Sequence, residues 1–540
     1  MRRCKHRPEK PLAVLFRDLM ALRQCAEVST VEADELTGPV SPIVVVRTRP
    51  KAPLHLAMRQ LSPGLHSVGA MLPYAPLLQW LSDLYPHPLV ATSANRSGDA
   101  LMHRDDQIPQ LFEFADLVLA HNREIIHPQD DSVVIFPQSA PFKTILRRGR
   151  GLAPAFFSEE NQQEKNITAE ARKAGTLLAM GAMMKSTFSV HHSGRVFSSQ
   201  YLGNTAGADA AEQYEAALRR SLQLLQATPR HILADLHPAY PATRAGRRLA
   251  AEIGLPFTGI QHHLAHFAAV LGENRLFTSD EPVLGATWDG TGYGTNGHIW
   301  GSEFFVYHRG EVQWQCAFQP FPHIAGDLPA KQPRLAAFCA LSGMEELQEA
   351  LASRFTEQEW KLYRTLLPQS KLQNRSAGRY FDAVSSLLGL CQRQGYQGQA
   401  PMLLEQLARQ VKNEDIPATK ARYQGGPWLD LQPLVAEVFA LHSQGETAAA
   451  ARHFHRGLAS LVGQVARYLG IKQVALSGGV FQNTLLMDEL HRQTGDGMRL
   501  YAHRQLSPND ENVSYGQLMA FQYLKNLEYV FGNTRKNTVH

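Results

Sequence analysis

Two histidines four residues apart, His262 and His266 in Gln261-His262-His263-Leu264-Ala265-His266, would share one face of a helix and could turn their imidazoles to a single divalent ion. His263 lies about 100° further round and stands off that face. The chain holds 23 histidines, so this spacing alone carries little weight, and ordinary core or surface histidines show it too. A two-histidine site also needs carboxylates from elsewhere. The candidates are Asp289 and Asp510, the latter closing Ser507-Pro508-Asn509-Asp510.

Asp289 precedes a dense run of glycines. Gly292, Gly294 and Gly297 match G-x-G-x-x-G, but a dinucleotide-binding loop must open a helix, and His298–Tyr307 reads as a strand. The stretch from Val283 to Tyr307 is therefore a hairpin, with Asp289 at the end of its first strand. Its turn would let backbone N–H groups approach phosphate, although a glycine-rich turn without any ligand has the same pattern. A second element of this kind is Ser477-Gly478-Gly479, between a buried strand and a helix beginning near Phe481, where N–H groups and a helix dipole would meet an anion. No G-x-x-x-x-G-K-[ST] motif occurs, which excludes the Walker-type NTPases. Near the N-terminus, Lys5-x-Arg7-Pro8, Ala91-Thr92-Ser93-Ala94-Asn95 and Arg147-Arg148-Gly149-Arg150-Gly151 combine separated cations with a Ser/Asn loop. Such a set could hold a nucleoside triphosphate beside a small planar acid. A basic surface with a polar turn would read identically.

The elements that must position these groups alternate between strand and helix, as in an α/β protein. The segment from Pro11 to about Pro154 has short apolar runs at Ile43–Val46, Leu89–Ala91, Asp116–Ala120 and Ser132–Phe136, with helical stretches around Phe16–Val28 and Pro76–Asp83. A polar, aperiodic stretch follows, so the expected division is a first domain over 1–157, a linker over 158–172, a second domain over 173–530 and a tail over 531–540. In the second domain Thr176–Val190 and Val283–Tyr307 are strand-turn-strand units alike in kind, as in a fold built from two similar lobes.

Composition narrows the function classes. With 44% hydrophobic and 19% charged residues the 540-residue chain can bury real cores, and a net charge of +5 spread over it argues against a dedicated DNA-binding domain. Five cysteines without a CxxC pair argue against a zinc ribbon or a disulfide framework and fit a reducing cytosol. No apolar run approaches the ~18–20 residues of a membrane span. Met1–Pro11 is basic without a signal peptide's apolar segment, which reads as a solvated charged start.

Taken in order, KHRPEKPLAV, MLPYAPL, TSANRSG, DDSVV, RRGRGLAP, DLHPAYPATR, QHHLAH, WDGTGYGTNGHIWGSEF, GRYFDAVSSLLGL, YQGQAPMLLE, FHRGLA, ALSGGVFQNTLL and SPND span nearly the whole chain. In this order they resemble the HypF carbamoyltransferases of NiFe-hydrogenase maturation. The resemblance implies a YrdC-like α/β domain followed by a two-lobed domain of the actin/Hsp70-like ATPase fold, similar to the TsaD-type carbamoyl-transfer enzymes. It implies that carbamoyl phosphate is activated by ATP, with Mg, as carbamoyl adenylate. The carbamoyl group would then pass to the C-terminal cysteine of a HypE-like partner for cyanide-ligand synthesis, in the cytoplasm, without nucleic acid or membrane. Carried onto this sequence, it makes His262, His266 and Asp510 metal ligands, Asp289 a further ligand or phosphate-site residue, and Asp289 and Lys185 catalytic; His/Asp ligation suits iron or zinc. It assigns Gly290, Gly292, Gly478 and Gly479, together with Lys5, Arg7, Ser93, Asn95 and Arg150, to nucleotide and substrate binding.

The sequence also departs from the family pattern. Members begin with an acylphosphatase-like domain, a cysteine-rich zinc segment and the first half of the YrdC-like domain, which implies an N-terminally truncated chain. Glu511-Asn512 stands where Gly-Gly follows SPND, Gln397 replaces an acidic residue, and Pro128-Gln129 replaces basic residues. Ala182–Thr187 keeps only the Lys and Thr of the usual first phosphate turn. Two rival readings follow: an O-carbamoyltransferase acting on a small-molecule hydroxyl, and a catalytically impaired nucleotide-binding remnant.

Overall fold

Aliphatic and β-branched runs bounded by Gly, Pro and Asp build three mixed sheets, and the protein is α/β. The computed structural model describes residues 1–50, 56–85, 87–95, 101–111, 115–158, 167–412, 416–494, 497–525 and 527. The first sheet runs in the order Leu89–Ala91, Ala13–Leu15, Ser67–Met71, Ile43–Thr48, Val133–Ile135 and Thr144–Arg147, with Ala26–Glu27 paired to Ile43–Thr48. Its inward residues Val14, Val44, Val46, Val68, Ala70 and Val134 close on Phe16, Leu22 and Leu36 to form that lobe's core.

Two local expectations change here. The helix expected over Phe16–Val28 is only Leu19–Arg23, capped by Asp18, because Ala26 pairs with Thr48 and the sheet contact outweighs local preference. Asp116–Ala120 forms no strand, and Leu117 and Leu119 stand exposed. The helix Pro76–Leu84 does form, with proline in its first turn, where a missing N–H is harmless.

The expected boundary at 157 falls inside a strand. Ala155–Ser158 pairs antiparallel with Arg195–Ser198 and so belongs to the second sheet, whose open edge it covers. Of the expected linker, 159–166 lies outside the described residues, and Ala169–Ala174 is helical, capped by Thr168. The expected tail, 531–540, lies outside them as well.

The remaining chain repeats one topology. In the second sheet β1 (Leu177–Ala179), β2 (Ser189–His192) and β3 (Arg195–Ser198) are antiparallel, and β4 (His231–Asp235) and β5 (Phe257–Ile260) add in parallel beside β1. In the third, β6 (Val283–Tyr293), β7 (Ile299–His308) and β8 (Glu311–Phe318) are antiparallel, and β9 (Gln473–Ser477) and β10 (Arg499–Tyr501) add in parallel beside β6. Between β8 and β9 the chain inserts helices, including Pro333–Ala340, Ala377–Leu387 and Thr447–Tyr468, that pack on the third sheet's core.

After β5 comes α1 (His262–Glu273) and after β10 comes α2 (Val513–Tyr523), and these equivalent helices pack on each other. Glycine permits the approach: a Cβ on Gly516 would sit 1.9 Å from the Ala265 carbonyl oxygen, and one on Gly272 would sit 2.7 Å from Met519 Cγ. Both helices are buried almost all round, as residues without a polar face require.

Candidate metal and nucleotide site

α1 begins where it does because Gln261 caps it, accepting the Leu264 N–H at 2.9 Å while its amide donates to the Tyr293 carbonyl at 3.0 Å. The first turn is thereby tied to the end of β6. On β6 the ladder register shifts between Trp288 and Gly292, an irregularity that re-aims Asp289. His262, His266, Asp289 and Asp510 converge, with ligand atoms all within 4.8 Å of one another. His262 Nε2 lies 3.4 Å from Asp289 Oδ2 and 4.0 Å from Asp510 Oδ1. For His266 Nε2 the same distances are 3.7 and 3.9 Å.

Both imidazoles are fully buried, and neither Nε2 has a hydrogen-bond partner among the described residues. Buried polar atoms are rarely left unpaired, and four donors converging on one point fit a divalent cation. The N₂O₂ donor set suits iron or zinc and leaves coordination positions for substrate oxygens. When bound, such a metal supplies a Lewis acid for a phosphoryl or carbamoyl oxygen.

The ligands differ in charge preference. Burial would raise Asp289, but the His262 and His266 imidazoles beside it outweigh that and hold its carboxyl well below the usual range. Burial and the Asp289 charge push Asp510 up to about 7, against the pull of His262 and Lys185. Burial opposes charge on His262, yet Asp235 and Asp289 lift it well above the ordinary imidazole value. His263 turns away from the cluster: it is buried, 3.1 Å from the Gln261 amide, and burial drives it well down.

Two orienting residues escape a reading by spacing. Asp235, closing β4, takes His262 Nδ1–H on Oδ2 at 2.7 Å and the His237 N–H on Oδ1 at 2.9 Å. Its position after an apolar run is the signal that also marks Asp289, although Asp289 lies within β6, which continues through Gly290 and Gly292 to Tyr293, and not at the strand's end as expected. Asn512, met in the sequence only as a departure from a family pattern, places Oδ1 2.9 Å from His266 Nδ1.

The glycines have definite tasks. Gly478, at φ 102°, lets β9 pass under β6, where a Cβ would lie 2.2 Å from the Trp288 oxygen. The Gly479 N–H is 3.3 Å from Asp289 Oδ1 and orients that carboxylate. Gly292 makes room for His263, whose Cε1 a Cβ would meet at 2.3 Å, and is a packing position against the histidine turn. Gly290 stays open, and Arg379 lies beside it, paired to Asp382 at 2.9 Å but with Nε and Nη1 unpartnered.

In the first lobe the expected cations rest on protein groups, as does Arg147, whose Nε donates to the Asp131 carbonyl at 2.9 Å and whose Nη1 lies 3.4 Å from Asp130 Oδ1. Lys5 is buried with its ammonium on the Ser93 carbonyl, and Ser93 Oγ donates to Asn95 Oδ1 at 2.6 Å. Arg150 stacks on Tyr74 at 3.4 Å and donates to Asp131, to Val40 O and to Ser41 O at 2.8, 2.9 and 2.7 Å. Those bonds make Arg150 a brace of the lobe. Arg7 holds the Pro11 carbonyl. Lys10, within the basic start expected to be solvated, instead has Arg7, Arg147 and Lys185 near it. Desolvation by the surrounding chain, and after it Arg7, Arg147 and Lys185, push the ammonium of this otherwise exposed residue down to about 8, against Asp130. Lys185 comes from the second domain, on a left-handed turn at φ 47°, with Nζ 3.4 Å from Gln482 Oε1. The same lysine favours the charged form of Asp510, so it faces both Lys10 and the cluster.

Known proteins share this arrangement. Residues 1–149 match the Sua5/YciO/YrdC family, described as telomere recombination. Residues 172–273 match the HypF Kae1-like domain, and 285–517 match the second subdomain of the carbamoyltransferase Kae1-like domain. A carbamoyltransferase HypF of Synechocystis sp. is 32% identical over 96% of this chain and 67% of its own length. HypF2 of Cupriavidus necator is 32% identical over 96% and 68%. A crystal structure of full-length HypF in the phosphate- and nucleotide-bound form superposes with a TM-score of 0.87 at 28% identity, covering 96% of this chain and 67% of that one. The chain thus spans about two thirds of the length of these relatives. A YrdC-like lobe followed by a duplicated Kae1-like unit, with a histidine–carboxylate cluster where the halves meet, defines a carbamoyltransferase. The chain belongs to the HypF carbamoyltransferase family.

Proposed function

We propose that this chain is an ATP-dependent carbamoyltransferase of NiFe-hydrogenase maturation. Carbamate derived from carbamoyl phosphate attacks the α-phosphorus of Mg-ATP and expels pyrophosphate, giving carbamoyl adenylate. The C-terminal cysteine thiolate of a HypE-like partner then attacks the carbamoyl carbon and releases AMP, leaving a thiocarbamate that later becomes the cyanide ligand. Lys10, Arg7 and Arg147 offset the triphosphate charge, and Lys185 carries that field toward the cluster. His262, His266, Asp289 and Asp510 hold the metal, and Asp289 is set by the Gly479 N–H. The observation supporting this reading most strongly is the convergence of His262, His266, Asp289 and Asp510, whose ligand atoms all lie within 4.8 Å of one another. No helix among the described residues is long and apolar enough to cross a membrane.

The test is pyrophosphate release from ATP by the purified chain, with carbamoyl phosphate and, separately, with carbamate formed from ammonia and bicarbonate. Release that depends on either donor is the expected result. A peptide ending in cysteine should then gain a carbamoyl mass, whereas a small alcohol should not. Absence of release with both donors overturns the reading.

A further inference from the structure

We infer that Asn512 and His503, outside the four-residue cluster, set the tautomer of His266 through a buried hydrogen-bond chain that starts at Glu273. The polarity of this chain follows from its two ends. A backbone carbonyl can only accept, so the Ser507 oxygen, 2.8 Å from Asn512 Nδ2, fixes which way the amide faces. Oδ1 then faces His266 Nδ1 at 2.9 Å and can only accept. The proton sits on Nδ1, and the Nε2 lone pair points at Asp289 and Asp510, as a ligand's must.

At the far end, Glu273 Oε2 lies 2.6 Å from His503 Nδ1. Its Oε1 accepts the N–H groups of Arg504 at 2.7 Å, Leu506 at 3.2 Å and Gln505. A carboxylate accepting so many donors requires the proton on His503 Nδ1. His503 Nε2 is left as an acceptor, 2.8 Å from Ser477 Oγ and 3.3 Å from Asn512 Nδ2. The second amide hydrogen of Asn512 thus lies between two acceptors, since Ser477 Oγ is 3.4 Å away. The Glu273 and His503 side chains are 2% and 1% exposed, and Ser477, Ser507 and Asn512 are buried, so solvent does not substitute for any link.

The chain makes the two histidine ligands unequal. His262 rests on a carboxylate, Asp235, and His266 on a neutral amide, so Asn512 orients its ligand without adding negative charge. Asn512 and His503 are positioning residues, since neither supplies a ligand atom to the cluster.

The inference rests on the cluster being a metal site, and the experiment separates the two claims. In metal-free, histidine-¹⁵N-labelled protein, with His266 assigned by a His266→Gln variant, NMR should show a neutral imidazole protonated on Nδ1. An Nε2-protonated His266 overturns the inference, whether or not metal binds. Cobalt(II) titration, read by absorption, should show Asn512→Ala weakened about 10- to 100-fold. His503→Ala, which leaves the Asn512 acceptor in place and removes one partner of its amide N–H, should fall between the parent and Asn512→Ala. Equal affinity in the parent and Asn512→Ala, or in the parent and His503→Ala, overturns it. Failure of the parent to bind cobalt would instead remove the metal reading, and the tautomer signal would still decide the chain. If Asn512→Ala does not fold, the parent spectrum alone is decisive.

Discussion

Asp235 reaches the cluster only through His262, and its removal should be felt there. Asp235→Asn is expected to weaken metal binding about 10- to 100-fold while leaving the fold intact, measured by competition with a chelator. His262→Ala and His266→Ala, which delete ligands, should abolish stoichiometric metal in elemental analysis of the purified protein. Lys10 gives a pH prediction. Its folded value is about 8, below the ordinary lysine range, so it loses its charge as pH rises through about 8. Affinity for ATP should therefore fall through that window, and Lys10→Met should flatten the dependence in an equilibrium binding assay. The effect on stability has the opposite sign: the penalty of burying the charge is full below about 8 and disappears only as the unfolded chain also deprotonates. The basic run containing Lys10 was legible, but nothing in it predicts that Arg147 and Lys185 come to its side.

At the scale of elements, the crossing of α1 and α2 decides whether His266 and Asp510 meet. Gly516 stands against the backbone of α1, where a methyl group has nowhere to go. Gly516→Ala should lower stability by about 1–3 kcal/mol, seen as a shifted urea midpoint with unchanged m-value, and should reduce metal affinity in the same protein. The strands and the hairpin character of Val283–Tyr307 were legible from alternation and glycine placement. The irregularity that turns Asp289 was not, because it depends on how β7 pairs. The early end of the helix at Arg23 has the same origin, a sheet partner from another part of the chain.

At the scale of the whole molecule, the two domains are bonded, not merely tethered. Asp488, on the helix Thr484–Thr494, accepts the N–H groups of Gln138, Ser139 and Ala140 at 3.2, 2.7 and 3.1 Å. Glu511 accepts the Arg148 N–H at 2.9 Å, and Ser507 Oγ donates to the Ile145 carbonyl at 2.7 Å. The residues around Asp510 thus hold the first lobe as well as the cluster. Asp488→Ala strands buried donors and should destabilise by at least about 2 kcal/mol. Calorimetry should show the transition broaden or split as the lobes unfold separately, and a single unshifted transition would contradict this account of the interface.

The α/β class, the hairpin, the pairing of His262 with His266 and the family resemblance are all properties of local order. Periodicity, glycine at turns and helical spacing act over a few residues, and the sequence carries them without reference to the rest of the chain. The cluster itself is different. Its ligands come from α1, β6 and the loop before α2, and its orienting partners Asp235 and Asn512 lie on either side of it in sequence. Only the duplicated sheets and the close helix crossing bring them within hydrogen-bonding range. The same holds for the transfer of Ala155–Ser158 to the second sheet and for Arg150 becoming a brace. Each of these outcomes depends on which distant group is nearest after folding, and that is a property of packing alone.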